Sequence, residues 1–328
     1  MCIRDSPTVV KVLNSITLAT FREAPRTHQV DRREEMLERR IFVSSISSLD
    51  PNDPRRGLKL AILARLRNAG LSPQEFMISG LPLNIAWNFE TVDAVMRRCI
   101  GAVVLGFRRW HVGPLIDLTT EYAHYEGAVA VTHGLPLLLL AESGVQTAGI
   151  LNFAGGRVIT PVPSNAGAEW ADDTAFTARF DAWKKEVDER KDIFLAFCSK
   201  SAGTAAEIQL LLEKYGAKVH RWNMDFRSGS SILEEIENAR RSCSSGIFLF
   251  SEDDPLEGVE GSAAPRDNVV FEAGYFMSAK GPDRSLIIRY GNAKMPADIG
   301  GAIYIRLAKG ASVSTIEGQL SDFVSKNL

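Results

Sequence analysis

Short apolar runs alternate with longer segments of helical period along most of this chain, and they do so in two series. Between Ile41 and Glu142 the runs Ile41–Val43, Phe76–Ile78, Ala102–Leu105 and Leu137–Leu140 are separated by amphipathic stretches over Leu58–Asn68, Thr91–Cys99 and Thr120–Thr132. That rhythm predicts parallel strands buried by covering helices. A second series starts at Asp192. It reads strand Ile193–Phe197, helix Thr204–Tyr215, strand Lys218–Trp222, a helix to about Ser242, strand Ile247–Phe250, helix Asn268–Lys280, strands Ser285–Arg289 and Ala302–Ile305, and a closing helix bearing Ile316, Leu320, Phe323 and Val324. Gly216 ends the first of these helices. Ser231 and Glu234 form a capping box that opens the second, whose apolar stripe is Ile232, Leu233, Ile236 and Ala239.

The expected architecture is therefore α/β: two flavodoxin- or Rossmann-like parallel-sheet domains in tandem. Signals weaken between Ala148 and Val187, around Gly155–Gly156 and Pro161–Pro163. This places a linker at 148–189, with a connecting helix over Phe176–Val187, between a first domain at 39–147 and a second at 190–328. Residues 1–38 read as an extension, and its opening Met1–Pro7 resembles translated sequencing-adapter read-through, so the native start is expected to lie elsewhere. The stretch Glu121–Gly134 before the strand at Leu137 parallels Asn268–Gly281 before the strand at Ser285, which pairs Tyr125–Glu126 with Phe271–Glu272.

Length and charge narrow the classes. The 328 residues suffice for two cores. Net charge is -2, with Lys and Arg scattered among Asp and Glu, so a nucleic-acid partner is not expected. The cysteines Cys2, Cys99, Cys198 and Cys243 lack metal-ligand or redox spacing, as expected of small buried residues in a reducing, cytoplasmic compartment. The longest strongly apolar run, Leu135–Ala141, is broken by Pro136 and is too short to cross a bilayer. No membrane segment and no metal site are expected.

The candidate chemistry centres on Pro265–Phe276, where Glu272 lies between aromatic residues just inside a helix start, downstream of an apolar strand and the polar loop Ser251–Asp254. Ligands of open α/β sheets bind at that strand-to-helix end. The order of five segments adds specificity: Asp192–Phe197, Gly229–Ile232, Phe248–Asp254, Arg266–Phe276, and Pro296–Gly301 with Ile303–Ile305. Over about Lys191 to Leu307 these resemble the bacterial TIR-like nucleotide-binding family found in cyclic-nucleotide-triggered antiphage effectors of the CBASS and Pycsar type. The resemblance implies a TIR fold that hydrolyses NAD, as substrate and without a cofactor, to nicotinamide and ADP-ribose products, with Glu272 as the catalytic residue. It also implies activation by a cyclic nucleotide or another small signal at the N-terminal domain, and a homo-oligomer when active.

Physical chemistry agrees with that role. Cleavage of the nicotinamide–ribose bond builds oxocarbenium character on the sugar, and a carboxylate beside it stabilises that charge. A position early in the helix is expected to favour the ionised form of Glu272 through the helix dipole. Further binding candidates are Phe197, Cys198 and Ser199 at the end of the first strand of the second domain, Trp222 and Phe226 around the next loop, and Asn268 and Tyr275 on the Glu272 helix. Each has a structural alternative: an ordinary βα loop for Cys198–Gly203, core packing for the aromatics, and solvent exposure for Asp253 and Asp254. Arg266–Asp267 reads as a helix cap. In the first domain Glu126, with Tyr125, Tyr122 and His124, is a secondary candidate for a pocket like those of TIR-like or nucleoside deoxyribosyltransferase-like folds. It reads equally as a solvated glutamate on an amphipathic helix.

Overall fold

Two strands of this chain, Gly-Ala-Val-Val-Leu-Gly and Cys-Ser-Ser-Gly-Ile-Phe-Leu-Phe, are buried at every residue, and each is the centre of a five-stranded parallel sheet. The computed structural model describes residues 38–47, 49–76, 88–114, 116–221, 232–256, 263–297 and 304–328, which fall within the unit Met36–Leu328. In its N-terminal half the elements are β1 (Arg40–Ser44), α1 (Pro54–Asn68), β2 (Ser72–Gln74), α2 (Phe89–Met96), β3 (Gly101–Gly106), β4 (Trp110–Val112), β5 (Ile116–Leu118), α3 (Glu121–Thr132), β6 (Leu137–Glu142), β7 (Ile159–Val162) and α4 (Thr174–Glu189). The C-terminal half runs β8 (Lys191–Phe197), α5 (Ala202–Lys214), β9 (Val219–Arg221), α6 (Ile232–Ser242), β10 (Cys243–Phe250), β11 (Asp254–Pro255), β12 (Ala263–Ala264), α7 (Asp267–Lys280), β13 (Ser285–Tyr290), β14 (Tyr304–Leu307) and α8 (Glu317–Asn327).

The halves are topological copies. Their sheets are ordered β2-β1-β3-β6-β7 and β9-β8-β10-β13-β14, so counting the strands of each half along the chain gives 2-1-3-4-5 twice. Each half also inserts a short antiparallel ribbon, β4–β5 or β11–β12, between its third sheet strand and the helix that follows. The tandem flavodoxin-like expectation is what the chain adopts.

Local chemistry sets the helix starts. Asp53 accepts the Arg55 N–H at 2.9 Å ahead of Pro54, Asn88 accepts the Thr91 N–H at 2.9 Å, and Thr120 accepts the Ala123 N–H at 3.2 Å. Packing then follows the apolar stripes. Ile62 and Leu66 of α1 meet Phe176, Phe180 and Trp183 of α4 on one face of the first sheet, and Ile208 and Leu212 of α5 meet Leu320 and Val324 of α8 on one face of the second.

Three details depart from the sequence reading. The second strand is Ser72–Gln74 and not Phe76–Ile78, of which 77 and 78 lie outside the described residues. The stretch 148–189, expected to be a linker, supplies the edge strand β7 and the helix α4 to the first half. Its Phe176, Phe180, Trp183 and Val187 recur at three- and four-residue spacing and fill the first core, because a parallel sheet needs both faces covered. Leu233, placed on the apolar stripe of α6, is 62% exposed, whereas Ile236 and Ala239 are buried.

Candidate active site

The face of α7 turned to the sheet is Val269, Glu272, Ala273, Phe276 and Lys280, spaced as one side of a helix. Phe276 is its anchor. The ring stacks on Phe194 of β8 at a centroid distance of 5.0 Å and meets Phe248 of β10 edge-on at 5.5 Å. Gly246 makes room, because a Cβ there would lie 2.9 Å from Phe276 and 2.7 Å from Phe248. Glu272 lies one turn before Phe276, so the packing that buries the ring also turns the carboxylate inward.

Glu272 is 1% exposed, and neither carboxylate oxygen finds a hydrogen-bond partner among the described residues. It borders a pocket of about 320 Å³ lined also by Phe197, Cys198, Ser199, Arg266, Asn268 and Val269. The pocket opens at the carboxyl end of β8, beside the start of the helix that follows β10. That is the switch point of a 2-1-3-4-5 sheet, where ligands of such folds bind. Its volume is at the small end of the range of about 300–1,000 Å³ for ligand sites.

Burial decides the protonation of Glu272. Desolvation pushes its pKa from 4.5 up to about 8. The expected helix-dipole effect does not prevail, because Glu272 is the sixth residue of α7, beyond the first turn where that effect acts. The carboxyl is therefore mostly neutral at pH 7.

A buried network shapes the pocket wall. Asp253, expected in solvent, is 2% exposed. Its Oδ1 accepts the Ser251 hydroxyl at 2.8 Å and its Oδ2 accepts the Arg266 backbone N–H at 3.1 Å. Lys200 donates to the Asp253 carbonyl at 2.6 Å, Ser251 Oγ lies 3.1 Å from Ser201 Oγ, and Ser201 donates to the Cys198 carbonyl at 2.9 Å. The carboxylate thus ties the loop after β10 to the start of α7, and the Asp253 carbonyl and the Ser251 hydroxyl join the loop after β8 to them. Asp253→Ala strands the Ser251 hydroxyl and the Arg266 N–H and is expected to lower unfolding free energy by about 1–3 kcal/mol in urea denaturation.

Of the binding residues expected from sequence, Phe197, Cys198, Ser199 and Asn268 line the pocket with Glu272. Tyr275 does not: its hydroxyl donates to Glu237 Oε2 of α6 at 2.5 Å and its ring stacks on Phe271. A residue three positions after Glu272 lies partway round the helix, toward α6. Trp222 and Phe226 lie outside the described residues. Arg266, read as a cap, occupies the N-cap position without a side-chain capping bond and borders the pocket, with its guanidinium 3.3 Å from Asp254 Oδ1. Cys198 and Asp254 favour its charged form. A cation one position before the helix start was the signal available for it, since it leaves the helix N–H groups and a guanidinium beside one pocket.

In the first half, Glu126 is the sixth residue of α3, as Glu272 is of α7, and both helices connect the third to the fourth strand of their sheets. Glu126 is buried, at 6% exposure, so the solvated alternative does not describe it. Tyr125 packs edge-on against Phe89 at 6.3 Å. Trp110–Val112 is a ribbon strand, with His111 Nδ1 2.6 Å from Asp117 Oδ1.

A 2-1-3-4-5 sheet with a pocket at its switch point and a carboxylate buried in that pocket defines the C-terminal half as a flavodoxin-like α/β domain with a candidate ligand site. More particularly, residues 192–309 match the family model described as CAP12/Pycsar effector protein, TIR domain, and form a TIR domain of the CBASS/Pycsar type. Similar proteins include CD-NTase-associated protein 12 of Lachnospiraceae bacterium (strain RUG226), 35% identical over 101 residues, which are 29% of this chain and 32% of the relative. The Pycsar effector protein BcPycTIR of Burkholderia cepacia is 29% identical over 122 residues, 36% of this chain and 40% of the relative. CD-NTase-associated protein 12 of Flavobacterium daejeonense is 32% identical over 113 residues, covering 33% and 35%. The alignments span about a third of the length of these relatives.

Proposed function

We propose that the C-terminal half cleaves the nicotinamide–ribose bond of NAD in a bacterial antiphage effector, with Glu272 as the carboxylate beside the reacting sugar. The observation that carries this is the partnerless, desolvated Glu272 in a pocket of a TIR domain. Substrate would enter with its nicotinamide ribose toward Glu272 and its pyrophosphate toward the start of α7, where backbone N–H groups and Arg266 offer positive charge. The cationic nicotinamide ring then lowers the Glu272 pKa, and the carboxyl gives up its proton. As the C–N bond lengthens, charge passes from the ring to the ribose, and a carboxylate in a site of low dielectric stabilises it strongly. Water completes hydrolysis, and neutral nicotinamide leaves.

This predicts a pH profile. The free protein must ionise Glu272, so kcat/KM for nicotinamide release is expected to rise with pH through about 8. The profile for kcat, which reports the substrate complex, has its rise at lower pH. A kcat/KM that is flat between pH 6 and 9 is incompatible with this role.

The N-terminal half would act as the sensor of a cyclic nucleotide or other small signal, with self-association switching the effector on. The equivalence of Glu126 and Glu272 favours one second reading, a ribosyl-transfer or nucleotide-binding site at Glu126. Comparing Glu272→Gln with Glu126→Gln in turnover and in nucleotide binding separates the two.

A further inference from the structure

We propose that Asn268 reads the nicotinamide ribose of the substrate, hydrogen-bonding its 3′-hydroxyl while Glu272 faces the carbon at which the bond breaks. The inference rests on the assignment of Glu272 as the carboxylate beside the reacting sugar. It adds the residue that tells a ribose from a sugar lacking that hydroxyl.

Local stability does not explain this asparagine. An asparagine strengthens a helix start from the N-cap, where its side chain accepts an orphan N–H. In α7 the N-cap is Arg266, which makes no side-chain capping bond, and Asn268 is the second residue of the helix. Its carboxamide makes no hydrogen bond among the described residues, and only its backbone N–H is engaged, donating to Asp267 Oδ1 at 2.9 Å. An unengaged asparagine inside a helix is less favourable than alanine. It nevertheless borders the pocket of Glu272, with Arg266 beside it.

Spacing selects what it meets. Asn268 and Glu272 are four residues apart, so they share one side of α7 and lie about 6 Å apart along its axis. A substrate laid with its pyrophosphate at Arg266 and its C1′ carbon at Glu272 has its ribose ring opposite Asn268, with the 3′-hydroxyl on the pyrophosphate side. A carboxamide both donates and accepts, so it pairs with that hydroxyl in either sense and leaves the carboxylate to the developing charge. The first half supplies a contrast. Its α3 repeats the sixth-position glutamate, yet its second residue is Tyr122, 44% exposed. The carboxamide is therefore a property of the C-terminal site and not of the fold.

The test compares NAD with its analogue lacking the 3′-hydroxyl of the nicotinamide ribose, in the full chain as wild type, Asn268→Ala and Asn268→Tyr. It reads kcat/KM for nicotinamide release and, independently, Kd by calorimetry. The wild type is expected to favour NAD by about tenfold, the worth of one hydrogen bond, and each variant to bring that ratio within about twofold of one. Asn268 is exposed, so both variants should keep the wild-type unfolding midpoint. The same preference in wild type and variants, or no preference in the wild type, overturns the inference. The proposed reaction fails separately: a wild type that binds NAD without releasing nicotinamide, yet loses its discrimination in Kd on Asn268→Ala, keeps the ribose contact and discards the chemistry. Absence of NAD binding overturns both.

Discussion

Above pH 8, Glu272→Gln is expected to unfold less readily than the wild type. The buried carboxyl has its pKa raised from 4.5 to about 8 by desolvation. A raised folded-state value means that the stability associated with the neutral form is fully present below about pH 4.5 and is lost as pH climbs through about 8. Beyond that the wild type keeps a buried, unpartnered charge, at a cost on the order of 4 kcal/mol relative to acid. An amide of the same shape never ionises. Urea denaturation should therefore give nearly equal stabilities at pH 5, a gap that opens toward pH 8, and a constant gap above it. An equal offset at pH 5 and pH 9 would mean that packing, not ionisation, separates the two proteins. Such a trade of stability for reactivity is what active sites tend to show.

Phe276→Ala is expected to cost about 3–5 kcal/mol, the usual loss for a buried aromatic side chain. The ring touches both Phe194 and Phe248, so its removal opens a cavity between α7 and the two strands that frame the pocket. The neighbours that could collapse into it are themselves fully buried and held by the sheet. The helix that carries Glu272 would lose its anchor one turn away, so chemical denaturation should show the stability loss and any ligand-binding assay a parallel weakening. Phe276→Leu should recover much of both, since it refills most of the volume. Full stability in Phe276→Ala would contradict the account of how Glu272 is buried.

The fold could be read from the chain because its central strands are continuous apolar runs and its helices keep their stripes: Ile247–Phe250 and Ile208/Leu212 admit little else. Glu272 could be read from its place between aromatic residues just inside a helix start and from the resemblance of five segments in order, and the structure adds a packing reason. It falls on the same stripe as Val269, Ala273 and Phe276, where a solvated glutamate would not be placed. The misreadings came from long-range contacts. Gly155–Gly156 and Pro161 look like linker signals locally, yet β7 is an edge strand, where a proline is tolerated. Asp253 looks like an exposed loop acid until its carboxylate takes the Ser251 hydroxyl and the N–H at the start of α7, a contact thirteen residues along the chain. Tyr275 has the right residue type for a ring-stacking contact but lies on the side of the helix turned to Glu237. The protonation of Glu272 needed the burial itself, which no local pattern reports.

The most direct test of the central claim is nicotinamide release from NAD by the full chain at high concentration, with and without a panel of cyclic nucleotides, beside Glu272→Gln and Glu126→Gln. The account predicts turnover in the wild type that is abolished in Glu272→Gln and retained in Glu126→Gln. Turnover that survives unchanged in Glu272→Gln would contradict it and move the chemistry away from the buried carboxylate of α7.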